Sequence, residues 1–190
     1  MTTLILIRHG ETDWNRQEIW QGQTDIPLNE TGEQQALAMA QRLQDQGIQA
    51  IVSSDLRRAK RTAEVLGEMT NLPVLLDERL REINLGDWEG LHISAILAQY
   101  PDLFRRRELD PWRIAVPNGE SALQVRSRAL AAVADIQRRF RCQRVAVVSH
   151  GFLIAVLIAE FRPHPFGSLW ELVPGNGEIK EIDLPEQTLV

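Results

Sequence analysis

With a single cysteine, Cys142, in 190 residues, the chain can close no internal disulfide and build no two- or four-cysteine zinc site. Long apolar runs are missing too. The longest, Phe152–Ala159, falls far short of the roughly 20 residues that span a bilayer. Basic residues are outnumbered, 21 Lys and Arg against 26 Asp and Glu, so the net charge is −5. That balance argues against a surface for nucleic acid, and any basic site must be local. Nothing before Leu4 has the pattern of a signal peptide, and no repeat, low-complexity tract or Pro/Ser-rich linker interrupts the chain. A reduced, cytoplasmic protein with no membrane partner is the expectation. What is present, 44% hydrophobic and 25% charged residues, is an ordinary globular mixture that excludes collagen-like, coiled-coil and disordered chains. A chain of this length buries roughly 70% of its unfolded surface, so one domain over residues 1–190 needs no staple.

Thr3–Ile7 is a short β-branched run that reads as a buried strand, and it ends at Arg8-His9-Gly10. A polar stretch without helical period, Glu11–Asn29, follows. A helix from Thr31 to about Gln46 is predicted, with Gly47 as its terminal cap and Ala36, Leu37, Ala40 and Leu43 on one face. Ile48–Val52 and Pro73–Leu76 read as strands flanking a helix over about Leu56–Met69, for which Ser53-Ser54-Asp55 offers caps. Asp77–Gly90 has the composition of a loop, and Leu91–Gln99 that of a helix stopped by Pro101. Phe104–Asn118 follows no clear period. Helical spacing returns over Ser121–Phe140, with Leu123, Leu130, Val133 and Ile136 on one face. Val145–Val148 is a further buried strand, ending at Ser149-His150-Gly151 before an apolar helix to Glu160. In the tail, Leu169–Leu184 reads as a hairpin about Pro174-Gly175-Asn176-Gly177, able to pair with the sheet edge or a second subunit. Alternating strands and helices predict an α/β fold: a three-layer α/β/α sandwich on a mainly parallel sheet.

Two apolar strands thus end in His-Gly, where composition predicts about a quarter of one such dipeptide. Ligands of open α/β sheets bind beyond the carboxyl ends of the strands, so two histidines at equivalent ends can converge on one pocket. Arg8 precedes the first, and Asn15 follows six residues after it. Arg57 and Arg58, at the start of a helix behind the second strand, compete to supply a further cation. Arginine forks beside a helix N-terminus suit a bound phosphate. Lys60 and Arg61 read as solvated helix surface. On composition alone Glu82 reads as a surface carboxylate paired with Arg79 or Arg81.

Leu6-Ile7-Arg8-His9-Gly10-Glu11-Thr12, Asn15, Gly22 and Pro27-Leu28-Asn29-Glu30-Thr31-Gly32 resemble the opening of the histidine phosphatase, or phosphoglycerate mutase-like, superfamily. The resemblance runs on through Ser53–Ala59, Thr62-Ala63, Leu80-Arg81-Glu82-Ile83, Gly86–Gly90, Pro117–Ser121 and Val147–Gly151. It implies a phosphoglycerate mutase-like fold, with His9 as the nucleophile that takes the phosphoryl group. Arg8, Arg58 and His150 would bind phosphate, helped by Asn15. The family places its arginine directly before alanine, which selects Arg58 over Arg57. Gln21, Gly22 and Gly151, within or beside the matching motifs, complete the expected binding set. Glu82 would protonate the leaving oxygen and then deprotonate the attacking water. Family members need no metal for this, and no cofactor is expected for this chain.

The chemistry of these residue types agrees. Phosphoryl transfer needs in-line attack and dense positive charge on the equatorial oxygens. A neutral imidazole attacks only from a free nitrogen, so a backbone carbonyl near Gly10 or Glu11 is expected to hold the other. A mutase must exclude water, and its relatives carry a long insertion after the Glu loop. Here only a lid at about 91–118 is available, so a metal-independent phosphomonoesterase is favoured over a phosphoglycerate mutase. Substrate choice is expected in that lid and around it, with Trp14, Trp20, Trp88, Trp112, His92 and Arg105–Arg107 as candidates. The tryptophans read equally as core and the arginines as a solvated helix face. His164 is assigned no role. Small phosphorylated metabolites are the partners in range: phosphoserine, phosphoglycerates, sugar phosphates or α-ribazole phosphate. A homodimer is compatible with the tail.

Overall fold

A computed structural model describes residues 1–162 and 169–184. A five-stranded sheet has the order β3-β2-β4-β1-β5, with β1 at Thr2–Arg8, β2 at Ala50–Ser53, β3 at Val74–Leu76, β4 at Arg144–Ser149 and β5 at Ile179–Leu184. Four strands run parallel, and β5 lies antiparallel against β1 at the edge. Alternation along the strands divides the core into two layers. Leu4, Leu6, Val52, Val145 and Val147 face one helical layer, which contains α6 (Ala122–Arg139) and α7 (Gly151–Phe161). Ile5, Ile7, Ile51, Ala146 and Val148 face the other, built by α2 (Glu30–Leu43) and α3 (Arg57–Thr70). The three-layer α/β/α sandwich is therefore as expected. Among the described residues, no helix is long and apolar enough to cross a membrane.

Several boundaries differ from expectation for local reasons. The stretch after His9 contains a one-turn helix, α1 (Asp13–Arg16), closed by a capping box between Thr12 and Asn15. Ser53-Ser54-Asp55 does not cap α3: Leu56 is its N-cap, without a side-chain bond. The Asp25 carboxylate instead accepts from the Arg57 amide at 2.7 Å, a cap supplied from a distant loop. Leu37 and Leu123, assigned to buried faces, are 47% and 46% exposed. The buried stripes run through Ala36, Met39, Ala40 and Leu43, and through Val125, Ala129, Ala132, Val133 and Ile136. The 77–90 stretch contains two 3₁₀ turns, Glu78–Leu80 and Gly86–Trp88.

Pro101 stops α4 (Ile93–Gln99) and also starts α5 (Pro101–Leu109) from its first turn, so the unclear stretch from Phe104 begins inside a helix. The tail forms no hairpin. Leu169–Leu172 is a 3₁₀ turn packed on α7, and only Ile179–Leu184 is a strand, paired with β1. His164 lies outside the described residues.

Candidate active site

Register brings the two His-Gly dipeptides together. β1 and β4 are parallel neighbours with Arg8 opposite Ser149, so the next residue after each strand is a histidine. The His9 amide donates to the Ser149 carbonyl at 3.0 Å, and the two imidazole centroids lie 5.1 Å apart. Both rings are buried, at 3% and 0% exposure.

His9 Nδ1 lies 2.6 Å from the Gly10 carbonyl, which can only accept, so Nδ1 carries the proton and Nε2 is left with its lone pair. Arg58 Nε donates to that Nε2 at 3.3 Å, consistent with the same tautomer. Desolvation, then the Arg58 and Arg8 cations, hold the His9 pKa well below 6.5. His9 is therefore neutral at physiological pH, with its unprotonated Nε2 held beside arginine.

The other members surround it. Arg58, 1% exposed, spends Nη1 and Nη2 on the carbonyls of Thr24 and Gly22 at 2.8 and 2.7 Å. Burial pulls its pKa down to about 10, against the raising effect of Glu82, Asp25 and Glu89, so it stays a cation at neutral pH. Arg57, the rival position, is exposed. Gly22 has φ +50°, and a Cβ there would meet a Glu89 carboxylate oxygen at 2.1 Å, so glycine is required twice over. Arg8 gives Nη1 to the Pro174 carbonyl at 2.6 Å, and its Nε is buried without a partner. Burial lowers its pKa, opposed by Glu82 and Glu178. Gly151 lets this guanidinium lie against the start of α7, since a Cβ there would come within 3.3 Å of its Cζ and Nε.

His150 Nε2 is 2.8 Å from Ser54 Oγ, and its Nδ1 is buried without a partner. Desolvation, then Arg58, keep this ring neutral as well. Asn15 Oδ1 accepts from Thr12 and Asn176, which leaves its amide nitrogen as the uncommitted end.

Glu82 is paired with neither Arg79 nor Arg81. Arg79 binds Asp77 and Asp135, and Arg81 binds Asp55. Its carboxylate instead accepts from the amides of Ile83, Phe152 and Leu153 at 2.9–3.2 Å, at the first turn of α7. A helix N-terminus is a natural seat for a carboxylate. Arg8, His9, Asn15, Gln21, Gly22, Arg58, Glu82 and Gly151 all line one cleft of about 180 Å³. Fully buried, His150 stands behind it against His9.

Three supports escaped sequence reasoning. Glu89 accepts from the Gln23 amide and the Thr24 hydroxyl at 2.8 and 2.6 Å, pinning the loop that holds Arg58. Arg128, from α6, donates to the carbonyls of Arg79, Arg81 and Glu82 at 2.5–2.8 Å and to Glu120. It clamps the loop that carries Glu82. Trp170 lines the cleft from the tail. Glu89 and Glu120 lie inside the family-like stretches Gly86–Gly90 and Pro117–Ser121, whereas Arg128 lies in none of them.

Residues 4–190 match the family model of the histidine phosphatase superfamily, branch 1. The chain belongs to the histidine phosphatase superfamily. Among its relatives, an uncharacterized phosphatase PhoE of Bacillus subtilis is 38% identical over 84% of this chain and 77% of its own length. A probable phosphoglycerate mutase GpmB of Escherichia fergusonii is 36% identical over 98% of this chain and 86% of its own. A mycobacterial glucosyl-3-phosphoglycerate phosphatase, solved with VO3, superposes with a TM-score of 0.87 at 38% identity, covering 94% of this chain and 90% of that one. This histidine phosphatase fold thus has relatives named for hydrolysis and for mutase chemistry.

Lid candidates divide. Trp88 is fully buried core, Trp20 and Trp112 pack partly buried against it, and Trp14 is half-buried over Gly90. His92 caps α4 and faces Glu18 at 3.6 Å, as a surface group. Lys60 and Arg61 sit on the α3 surface with glutamate partners. Arg105 and Arg106 are exposed as expected of a solvated face, but Arg107 is 2% exposed and contradicts that reading.

Proposed function

We propose that the protein is a metal-independent phosphomonoesterase acting on small phosphorylated metabolites through a phosphohistidine on His9. One observation supports this most: a neutral, tautomer-locked His9 shares a cleft with Glu82 and with cationic Arg8 and Arg58. His9 Nε2 attacks phosphorus, and the P–O ester bond breaks as Glu82, which takes up a proton when the phosphate anion binds beside it, gives that proton to the leaving oxygen. Water then attacks the phosphohistidine and returns a proton to Glu82. The N–P bond breaks and inorganic phosphate leaves. Arg8 Nε–H, the Arg58 guanidinium and His150 donate to the equatorial oxygens, where fixed donors in a buried site are worth most.

Mutase chemistry is the second reading, favoured by the name of the Escherichia relative. Against it stands the lid: residues 91–118 provide only α4, α5 and a short return loop. The two readings separate in one assay. With EDTA present, 3-phosphoglycerate is supplied with and without 2,3-bisphosphoglycerate, and products are followed by phosphate release and NMR. Phosphate release without 2-phosphoglycerate is expected. Bisphosphoglycerate-dependent 2-phosphoglycerate, or loss of activity to EDTA, would overturn the reading.

A further inference from the structure

α5 turns one arginine inward. The Arg107 guanidinium carbon lies 5.2–5.8 Å from the ring centroids of Trp20, Trp88, Phe152 and Trp170. No described residue hydrogen-bonds or ion-pairs with it, and Nε and Nη2 are buried without a partner. Burial draws its pKa to about 10, partly offset by Glu82, so it remains charged at neutral pH. A buried cation without a counter-charge is costly, and contact with ring faces offsets only part of that cost.

The unpartnered atoms are chemically specific. Nε–H and Nη2–H leave a guanidinium along one edge, which a carboxylate meets with two parallel bonds. Four other arginines here fill that edge in this way: Arg79 on Asp77, Arg81 on Asp55, Arg126 on Glu160 and Arg128 on Glu120, at 2.5–3.0 Å. In Arg107 that edge is buried without a partner. Trp20 and Trp170 line both the cleft holding His9 and a second cavity of about 100 Å³ that Arg107 lines. Glu108 also borders that cavity, but it is exposed and forms no ion pair or hydrogen bond with the guanidinium.

We propose that Arg107 is a specificity residue that binds a carboxylate on the leaving-group side of the substrate, selecting phosphorylated carboxylic acids. This rests on the phosphomonoesterase reading above. The aromatic walls exclude water, which strengthens the ion pair and penalises a substrate lacking the anion.

The test is a ratio of kcat/KM values for 3-phosphoglycerate and glycerol 3-phosphate, which differ in the carboxylate. Wild type is expected to favour the acid tenfold or more, and R107M to bring the ratio close to one. R107K keeps the charge without the two-bond edge, and an intermediate ratio is expected; it decides the matter if R107M melts early. No preference in wild type, or a preference retained in both variants, overturns the proposal. So does a bisphosphate preferred over the acid and lost in R107M. Failure of wild type to hydrolyse p-nitrophenyl phosphate would overturn the phosphomonoesterase reading instead.

Discussion

Acidification should destabilise this fold early, through the two histidines buried at the ends of β1 and β4. His9 and His150 are fully buried, and desolvation plus neighbouring arginines hold both well below 6.5. The unfolded chain therefore binds more protons than the folded one below about pH 6.5, and stability falls as pH falls. For a histidine of unfolded pKa 6.5 that stays neutral when folded, the loss between pH 7 and pH 5 is about 1.9 kcal/mol. Two give close to 4 kcal/mol, a large part of a typical 5–15 kcal/mol. Asp55, Asp135 and Glu178 have lowered pKa values, so their stabilisation is lost as pH falls through the carboxylate range, mainly below pH 5. Urea unfolding reads the effect directly. At an m-value near 2 kcal/mol per molar, the midpoint should drop by about 2 M between pH 7 and pH 5. A double variant, His9→Gln with His150→Gln, should lose most of that dependence. His92 and His164 are common to both proteins and cancel. A wild-type loss below about 1 kcal/mol, or an equal loss in the double variant, would refute the buried-neutral assignment.

Two substitutions probe the machinery around His9. Arg58→Ala strips donors from the Gly22 and Thr24 carbonyls and a cation from His9, so kcat should fall by about 10²–10³, with only partial recovery in Arg58→Lys. Stopped assays with p-nitrophenyl phosphate measure it, and near wild-type turnover in the Ala variant would contradict the phosphate-binding role. Glu82→Gln should slow alkyl phosphates far more than p-nitrophenyl phosphate, whose leaving group needs little protonation. Equal losses across a leaving-group series would rule out a general acid.

Much of the scaffold was legible because its signals are local. Apolar runs ending at Arg8-His9-Gly10 and Ser149-His150-Gly151 mark strand ends, and a parallel sheet puts such ends on one rim. The carbonyl partner of His9 Nδ1 was legible from chemistry alone, and Gly10 provides it. What escaped depends on distant chain. Asp25 caps α3 from another loop, and Arg128 clamps the Glu82 loop from α6. Leu169–Leu172 looks like a strand by composition, yet a 3₁₀ turn lets Leu169 bury. Arg107 is misread because a run of three arginines on a helix signals solvent, while a tryptophan-lined chamber is assembled from four separate segments.

Trapping the phosphorylated enzyme is the most direct examination of His9 chemistry. Rapid alkaline quench during turnover, followed by peptide mass spectrometry, should find an acid-labile, base-stable phosphoryl group on His9 and none in His9→Ala. Robust turnover with no phosphohistidine, or with the phosphoryl group on another residue, would contradict it.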